Sequence, residues 1–547
     1  MSTDTIPQSL RFIAILRGLS VTSLSWLVQS VTQHWPSYYD VKPINIKSIS
    51  NLVNTSPVYN KFHGLIYPRS VDFARHKLTT LPLDIVLDIV KELDWYSILT
   101  IRKTCKYLEE ISRTCTVWCS QYRLYVAQRP FPLHLEEPLE SYTAAELERW
   151  MLLRISADLG WESDDTKLTR TSQFKQKEVT GIFLVPGGRW LLVGSENGSV
   201  MAYDMDAPTV APKLLIPPET LQDQQPVYNM SISQDLSSSK LTFTLSLSPC
   251  AQYANSLLLL RIHIWRIILH GHGAQAHLRA NRLNNFQAHD VGVITRTAIH
   301  DNHFGRIIRN NARSSSIDVF DWAKSTSETH HKATIFCDET LSAIRFLPGH
   351  RLLVCSVTSL MLYSFITAKC SEVTAPTATS SLTKRLWRLP FDGDRVLHGA
   401  LSEGHSDELA TYFVIYAGNT IHGLAIPHIV DQPPHLRELV DISGLELGCI
   451  TLSVGFEKAF IQHRDRSISR LKFSWDKRGI QEVKPASSCP TITVKGYPTT
   501  LNGARLPLLD EETGRVVQSS REGIVIVDTA LLYTTDGKNE TSIQSIS

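Results

Sequence analysis

The chain has 547 residues, 43% hydrophobic and 20% charged, with a formal net charge of +2. That length leaves room for two or three domains with sizeable cores, and the near-balance of charge argues against nucleic-acid or membrane-surface binding driven by charge alone. The nine cysteines are scattered with no CxxC pair, and Cys115 and Cys119 would share a helix face without two further ligands nearby. This pattern points to neither a disulfide framework nor a cysteine metal site, and it fits a reducing compartment, cytoplasmic and/or nuclear, with buried free thiols.

Residues 1–76 read as an extension of low order. Within them Phe12 to Val31 is moderately apolar but is broken by Arg17 and several serines, too polar for a membrane span and without a clear cleavage pattern after it. The informative stretch begins at Leu81. Pro82 suits the first turn of a helix, and Ile85, Val86, Ile89, Val90 and Leu93 recur on one helical face. After Asp94-Trp95-Tyr96, Ser97 can cap a second helix carrying Ile98, Ile101, Cys105, Leu108 and Ile111 at three- and four-residue spacing. A further helix starting near Thr114 or Thr116 carries Trp118, Tyr122 and Val126. Such a unit, over 77–128, buries little and leaves apolar surface for a partner.

Leu81-Pro82, Asp84, Leu93-Asp94, Leu99, Thr104-Cys105 and Trp118 fall in register with the F-box pattern, and this segment resembles that family. Trp95 stands where proline is common in the family and Leu108 where an aromatic is common. The resemblance implies docking onto the Skp-type adaptor of a cullin ubiquitin ligase, with Leu81, Pro82, Ile85, Ile89, Leu93, Leu99 and Trp118 as adaptor-binding residues. Read without the family, the same residues make a helical hairpin whose apolar faces are all internal.

Residues 129–161 form a connector. Three prolines and an acidic cluster make its first half extended, and Thr143-Ala-Ala-Glu146 is a capping-box signature opening a helix with Leu147, Met151 and Ile155 on one side. From about Thr180 the apolar period becomes two. Gly181 to Met205 reads as strand, Pro-Gly-Gly turn, strand, Glu-Asn-Gly turn, strand. Ala343 to Phe365 repeats it, with Pro348, Gly349 and Arg351 answering Pro186, Gly187 and Arg189.

Candidate last strands of such units begin at Val200, Arg261, Ile317, Leu360, Thr420, Ser469 and Ile524. Between Tyr203 and Val527 the mean spacing is about 54 residues, against ~40 to 45 for a compact WD repeat, so longer loops are expected. Tyr203-Asp204, Phe320-Asp321 and Trp475-Asp476 are similar to the aromatic-Asp end of a WD-repeat strand. Trp265 and Tyr363 keep the aromatic alone, and Gly423 and Val527 lose the pair. The expected fold class is therefore α+β multidomain, a small all-α F-box followed by an all-β, seven-bladed propeller over 175–535 and a polar tail over 536–547. The whole resembles fungal F-box proteins with a WD-like carboxyl half.

Few residues suggest chemistry. Gly271-His-Gly273-Ala-Gln-Ala276 loosely matches a dinucleotide fingerprint but lies in no βαβ unit. His263, His270, His272 and His277 crowd one neighbourhood without thiolate or carboxylate partners at ligand spacing. Arg279, Arg282, Arg296, Arg306, Arg309 and Arg313 fall in a long acid-poor segment, read as an insertion between units. Of these, Arg279, Arg282, Arg306 and Arg309 are candidates for reading an acidic or phosphorylated substrate segment, because arginine forks match carboxylates and phosphates. No catalytic signature, cofactor or metal site stands out. The expected role is a non-catalytic substrate receptor whose partners are the adaptor, the cullin scaffold and a protein substrate. The alternative is a propeller enzyme or small-ligand binder with a purely structural hairpin.

Overall fold

In the computed structural model, the residues described are 78–530 apart from 130, 132, 134, 163–169, 175–178, 208–209, 219–226, 251–259, 289–292, 312–313, 372–382, 392–400, 418–419, 443–448, 464–467, 476–490, 495–506 and 521–522. The expected extension over 1–76, the tail over 536–547, Asp476 and Arg313 lie outside them. The chain divides into two compact units, 1–125 and 126–547.

In the first unit, helices α1 (Leu83–Lys91), α2 (Trp95–Arg102), α3 (Lys106–Ser112) and α4 (Cys115–Ala127) follow one another closely. Two details differ from the sequence reading. The cap of α2 is Asp94, whose carboxylate accepts the Ser97 N–H at 2.7 Å, so Ser97 is already inside the helix. The expected single second helix is two, because Lys103 to Cys105 breaks the run between Ile101 and Leu108. Val86, Val90, Ile98, Ile101, Leu108, Ile111, Val117 and Trp118 are buried. Gln121 closes α1 by donating to the Lys91 and Leu93 carbonyls at 3.0 and 2.8 Å.

The second unit is a seven-bladed β-propeller: the described residues form seven antiparallel sheets, six of four strands and one of five. The first strands of blades 1 to 4 approach one another in turn, as do those of blades 6, 7 and 1, and so line the centre of the ring. Blade 1 is Val179–Leu184, Trp190–Ser195, Val200–Asp204 and Pro212–Ile216. All seven last strands picked from the sequence are third strands of blades. Blade cores pack between neighbouring sheets, as where Trp190, Leu192, Phe243, Leu245 and Ile267 join blades 1 and 2. Stacking apolar faces around a ring leaves only the outer strands as edges.

Two strands fall outside simple repetition. Arg170–Phe174 pairs with Gly523–Asp528 as the outer strand of blade 7, so the propeller begins before the expected residue 175 and its ends are joined by one sheet. Ala368–Ser371 leaves blade 4 and pairs with Thr329–Lys332, giving blade 3 a fifth strand. The segment expected as a basic insertion is strand almost throughout: Arg279 and Arg282 lie on His277–Ala288, the fourth strand of blade 2, and Arg306 and Arg309 on His303–Arg309, the second of blade 3.

Helix α5 (Ala144–Glu162) and the connector before it belong to the propeller unit. The capping box is formed: the Thr143 N–H donates to Glu146 at 2.8 Å, and the Glu146 N–H to the Thr143 hydroxyl at 3.3 Å. Leu147, Met151 and Ile155 are buried, as expected. No helix among the described residues is long and apolar enough to cross a membrane.

Candidate functional site

Of the residues expected to meet an adaptor, Pro82 is exposed, and Leu81, Ile85, Ile89, Leu93 and Leu99 are half-buried. Ile85 and Ile89 flank the buried Val86 and Val90, so α1 shows one apolar face to the unit's core and a second, partly open one to solvent, while Leu99 lies on α2. Trp118 differs. It is 0% exposed and its indole N–H donates to the Ser112 carbonyl at 2.9 Å, so it holds the core and offers no surface to a partner. The sequence reading missed Leu83 and Tyr96, which are 54% and 52% exposed. Leu83 adjoins Pro82, and an apolar residue at a helix start, off the buried stripe, is the signal that could have found it.

The four candidate arginines are not gathered into one site. Arg279 is exposed. Arg282 is exposed too, but its guanidinium lies 5.3 Å from the Trp265 ring centre and 2.6 Å from His263 Nδ1. Arg309 is exposed at the end of its strand. Arg306 is corrected: it is 0% exposed, pairs with Asp318 at 3.1 Å and stacks over Phe320, so no substrate can reach it. Burial alone would raise the Asp318 carboxyl, but Lys332 and Arg306 hold it below its ordinary value.

The connector and α5 form a strap on the face of the propeller that carries the turns between first and second strands. At blades 1 and 2, Glu136 accepts from Trp190 Nε1 and Arg189 at 2.7 Å each, and its carbonyl accepts the Leu241 N–H. Burial pushes the Glu136 carboxyl up, against the pull of Arg189. Glu137 holds Lys240 at 3.1 Å and also His272, which reaches Glu146 at 2.9 Å. These two carboxylates raise the His272 pKa. Of the crowded histidines, His272 thus belongs to an ion-pair clamp, whereas His263 meets Arg282 and His270 stacks on His277; among the described residues no group of three or more His, Cys, Asp or Glu could hold a metal.

At blades 6 and 7 the strap makes a second set of contacts. Arg154 donates through Nε and Nη2 to Glu512 at 3.0 Å, the Trp161 indole to the Leu471 carbonyl at 3.0 Å, and Arg470 to the Gly160 carbonyl at 2.7 Å. The buried Lys458 meets Asp158 at 2.7 Å, and Phe131 stacks on Phe456. Beneath the strap, blade 7 locks to blade 1. Asp510 accepts the Gly187 N–H at 3.1 Å, and Arg515 reaches the Gly188 carbonyl. Gly188 has φ +73°, and a Cβ there would run into Thr513 and Asp510.

The aromatic-Asp strand ends have a local purpose. Arg189 opens the second strand of blade 1 and pairs through both oxygens with Asp204, at 3.0 and 2.9 Å. Arg515 does the same with Asp528, at 2.5 and 3.4 Å. The pair read as lost at Val527 therefore keeps its acid in the next residue. Arg351, in the equivalent position of blade 4, donates instead to the Pro427 carbonyl of blade 5 at 2.6 Å.

No family model matches the chain, and no curated protein does. Among solved structures it is similar to the β-propeller domain of Cps50 (Swd1) from Myceliophteria thermophila, at 10% identity and a TM-score of 0.38, covering 66% of this chain and 99% of that one. The propeller assignment rests on the seven sheets themselves.

Proposed function

We propose that the chain is a substrate-receptor subunit of an SCF-type cullin ubiquitin ligase, docking a Skp-type adaptor through α1 and α2 and a protein substrate through the propeller. The observation that carries this reading is the second apolar face of α1. Pro82, Leu83, Ile85 and Ile89 stay open or half-open on a unit too small to bury them, in the residue pattern that resembles the F-box. The propeller supplies a large, rigid surface of the kind suited to protein partners. The mechanism is positioning: holding a substrate beside a recruited conjugating enzyme raises the local concentration of its lysines and requires no catalytic group from this chain.

The test is co-purification of the intact chain with a Skp-type adaptor, compared with a variant carrying Leu81→Ala, Pro82→Ala and Leu83→Asp. These positions spare Val86 and Val90, so the helices stay folded by circular dichroism. A desolvated carboxylate in an apolar contact costs several kcal/mol, and binding should fall at least 100-fold. Failure of the intact chain to bind would end the ubiquitin reading and leave the helical unit purely structural.

A further inference from the structure

The outer edge of blade 2 is unlike the other blade edges. Its fourth strand, His277–Ala288, has 12 residues, whereas the outer strand of blade 1 has 5 and that of blade 6 has 4. It pairs on one side with Leu260–His270, and no described strand pairs with its other side. A bulge opposite Ile264 and Trp265 leaves Leu283 as the extra residue and divides the strand. Beyond the bulge the strand turns to blade 3, with the Asn284 amide on the Ser325 carbonyl at 3.0 Å and Phe286 packed against Phe320. Before the bulge, His277, Arg279, Asn281, Arg282 and Leu283 are all exposed.

This straight run is basic. Neither strand of the hairpin contains an acidic residue. Arg266, also exposed, stands opposite Asn281 and is therefore a diagonal neighbour of Arg279 on one face, with Asp235 on an adjoining turn as an acid within electrostatic reach. The hairpin is held at its tip: Gly273 accepts from Arg189 at 2.8 Å, and Glu137 and Glu146 bracket His272. The fold already uses outer-edge pairing once, where Ala368–Ser371 adds a fifth strand to blade 3.

From these observations we infer that His277–Leu283 is a docking edge that takes an extended acidic segment of a partner protein as a fifth strand of blade 2. Backbone groups of the edge would supply the ladder, and Arg279 with Arg266 would select carboxylate side chains on alternate residues of the incoming strand. The same arginines disfavour edge-to-edge pairing with a second copy, which would set like charges against each other. The inference depends on the receptor reading only in calling that segment part of a substrate.

The test uses a capped peptide of four Glu-Val repeats as probe, with four Lys-Val repeats as control, titrated calorimetrically into the full chain at low and high salt. Binding of the acidic peptide alone is expected, weakened by salt, with slowed amide exchange confined to 277–283. The double variant Arg266→Glu, Arg279→Glu, whose positions are exposed, should lower affinity at least 10-fold, while Lys384→Glu, exposed on the outer strand of blade 4, should leave it unchanged. Absence of binding, no loss in the double variant, or equal loss in the Lys384→Glu variant, would overturn the proposal. Because no adaptor is present, neither result bears on whether the helical unit docks one.

Discussion

Glu511 reaches from blade 7 to accept the backbone N–H groups of Phe456 and Glu457 in blade 6, at 2.9 and 3.0 Å. Burial, opposed by those donors and by Lys458, pushes its carboxyl from 4.5 up to about 7. A folded-state pKa above the unfolded one means that the native chain keeps a proton the unfolded chain has lost. Glu511 therefore costs stability as pH rises from 4.5 to about 7. Glu511→Gln should flatten that slope, by on the order of 1–3 kcal/mol across the window, in thermal unfolding scans at stepped pH. His272 works with the same sign: its raised pKa holds stability at low pH that is lost as pH climbs through the folded value. Arg306 gives a different prediction. Arg306→Leu leaves Asp318 buried with less counter-charge and should cost about 3–5 kcal/mol in urea unfolding, whereas Arg309→Ala on the surface should change stability by less than about 0.5 kcal/mol.

Among the elements, α4 depends on its tryptophan and α5 on its cap. Trp118→Ala removes a wholly buried ring from the helical unit and should cost about 3–5 kcal/mol, read as loss of helical signal before the propeller melts. Thr143→Ala removes half of a formed capping box and should cost about 1 kcal/mol, seen as faster amide exchange in the first turn of α5. The helices are legible in the sequence because they bury residues at three- and four-residue spacing, and the third strands because they are short runs buried on nearly every residue, as in Ser359–Phe365 and Gly523–Asp528. Outer strands carry no such mark. Arg170–Phe174 has a single large apolar residue, and His277–Ala288 is mostly polar, so apolar periodicity marks neither as a strand. Arg306 looked like surface because its partner Asp318, twelve residues on, is visible only once two strands are paired. The strap was legible as a helix with a buried side, but not as a clamp, since Arg154 and Glu512 are 358 positions apart.

At the scale of the molecule the ring is joined twice near its seam, once by Arg170–Phe174 in blade 7 and once by the strap, which touches blades 6, 7, 1 and 2. Deleting Arg170–Phe174 should therefore loosen blade 7 but leave α5 bound, with protease cutting first within 508–528 and later elsewhere. Losing Arg154 and Trp161 as well should open both blades together.

The closing strand has a consequence for the birth of the protein. Arg170–Phe174 leaves the ribosome about 350 residues before its partner Gly523–Asp528, an interval of roughly 20 to 70 s at ordinary rates of synthesis. Throughout that time the blades made so far have no ring to complete, and the apolar flank of blade 1 that Val517, Ile524 and Ile526 will cover stands bare. Unfinished sheets of this kind are prone to aggregate, and a chain stopped before Gly523–Asp528 lacks the strand that pairs with Arg170–Phe174.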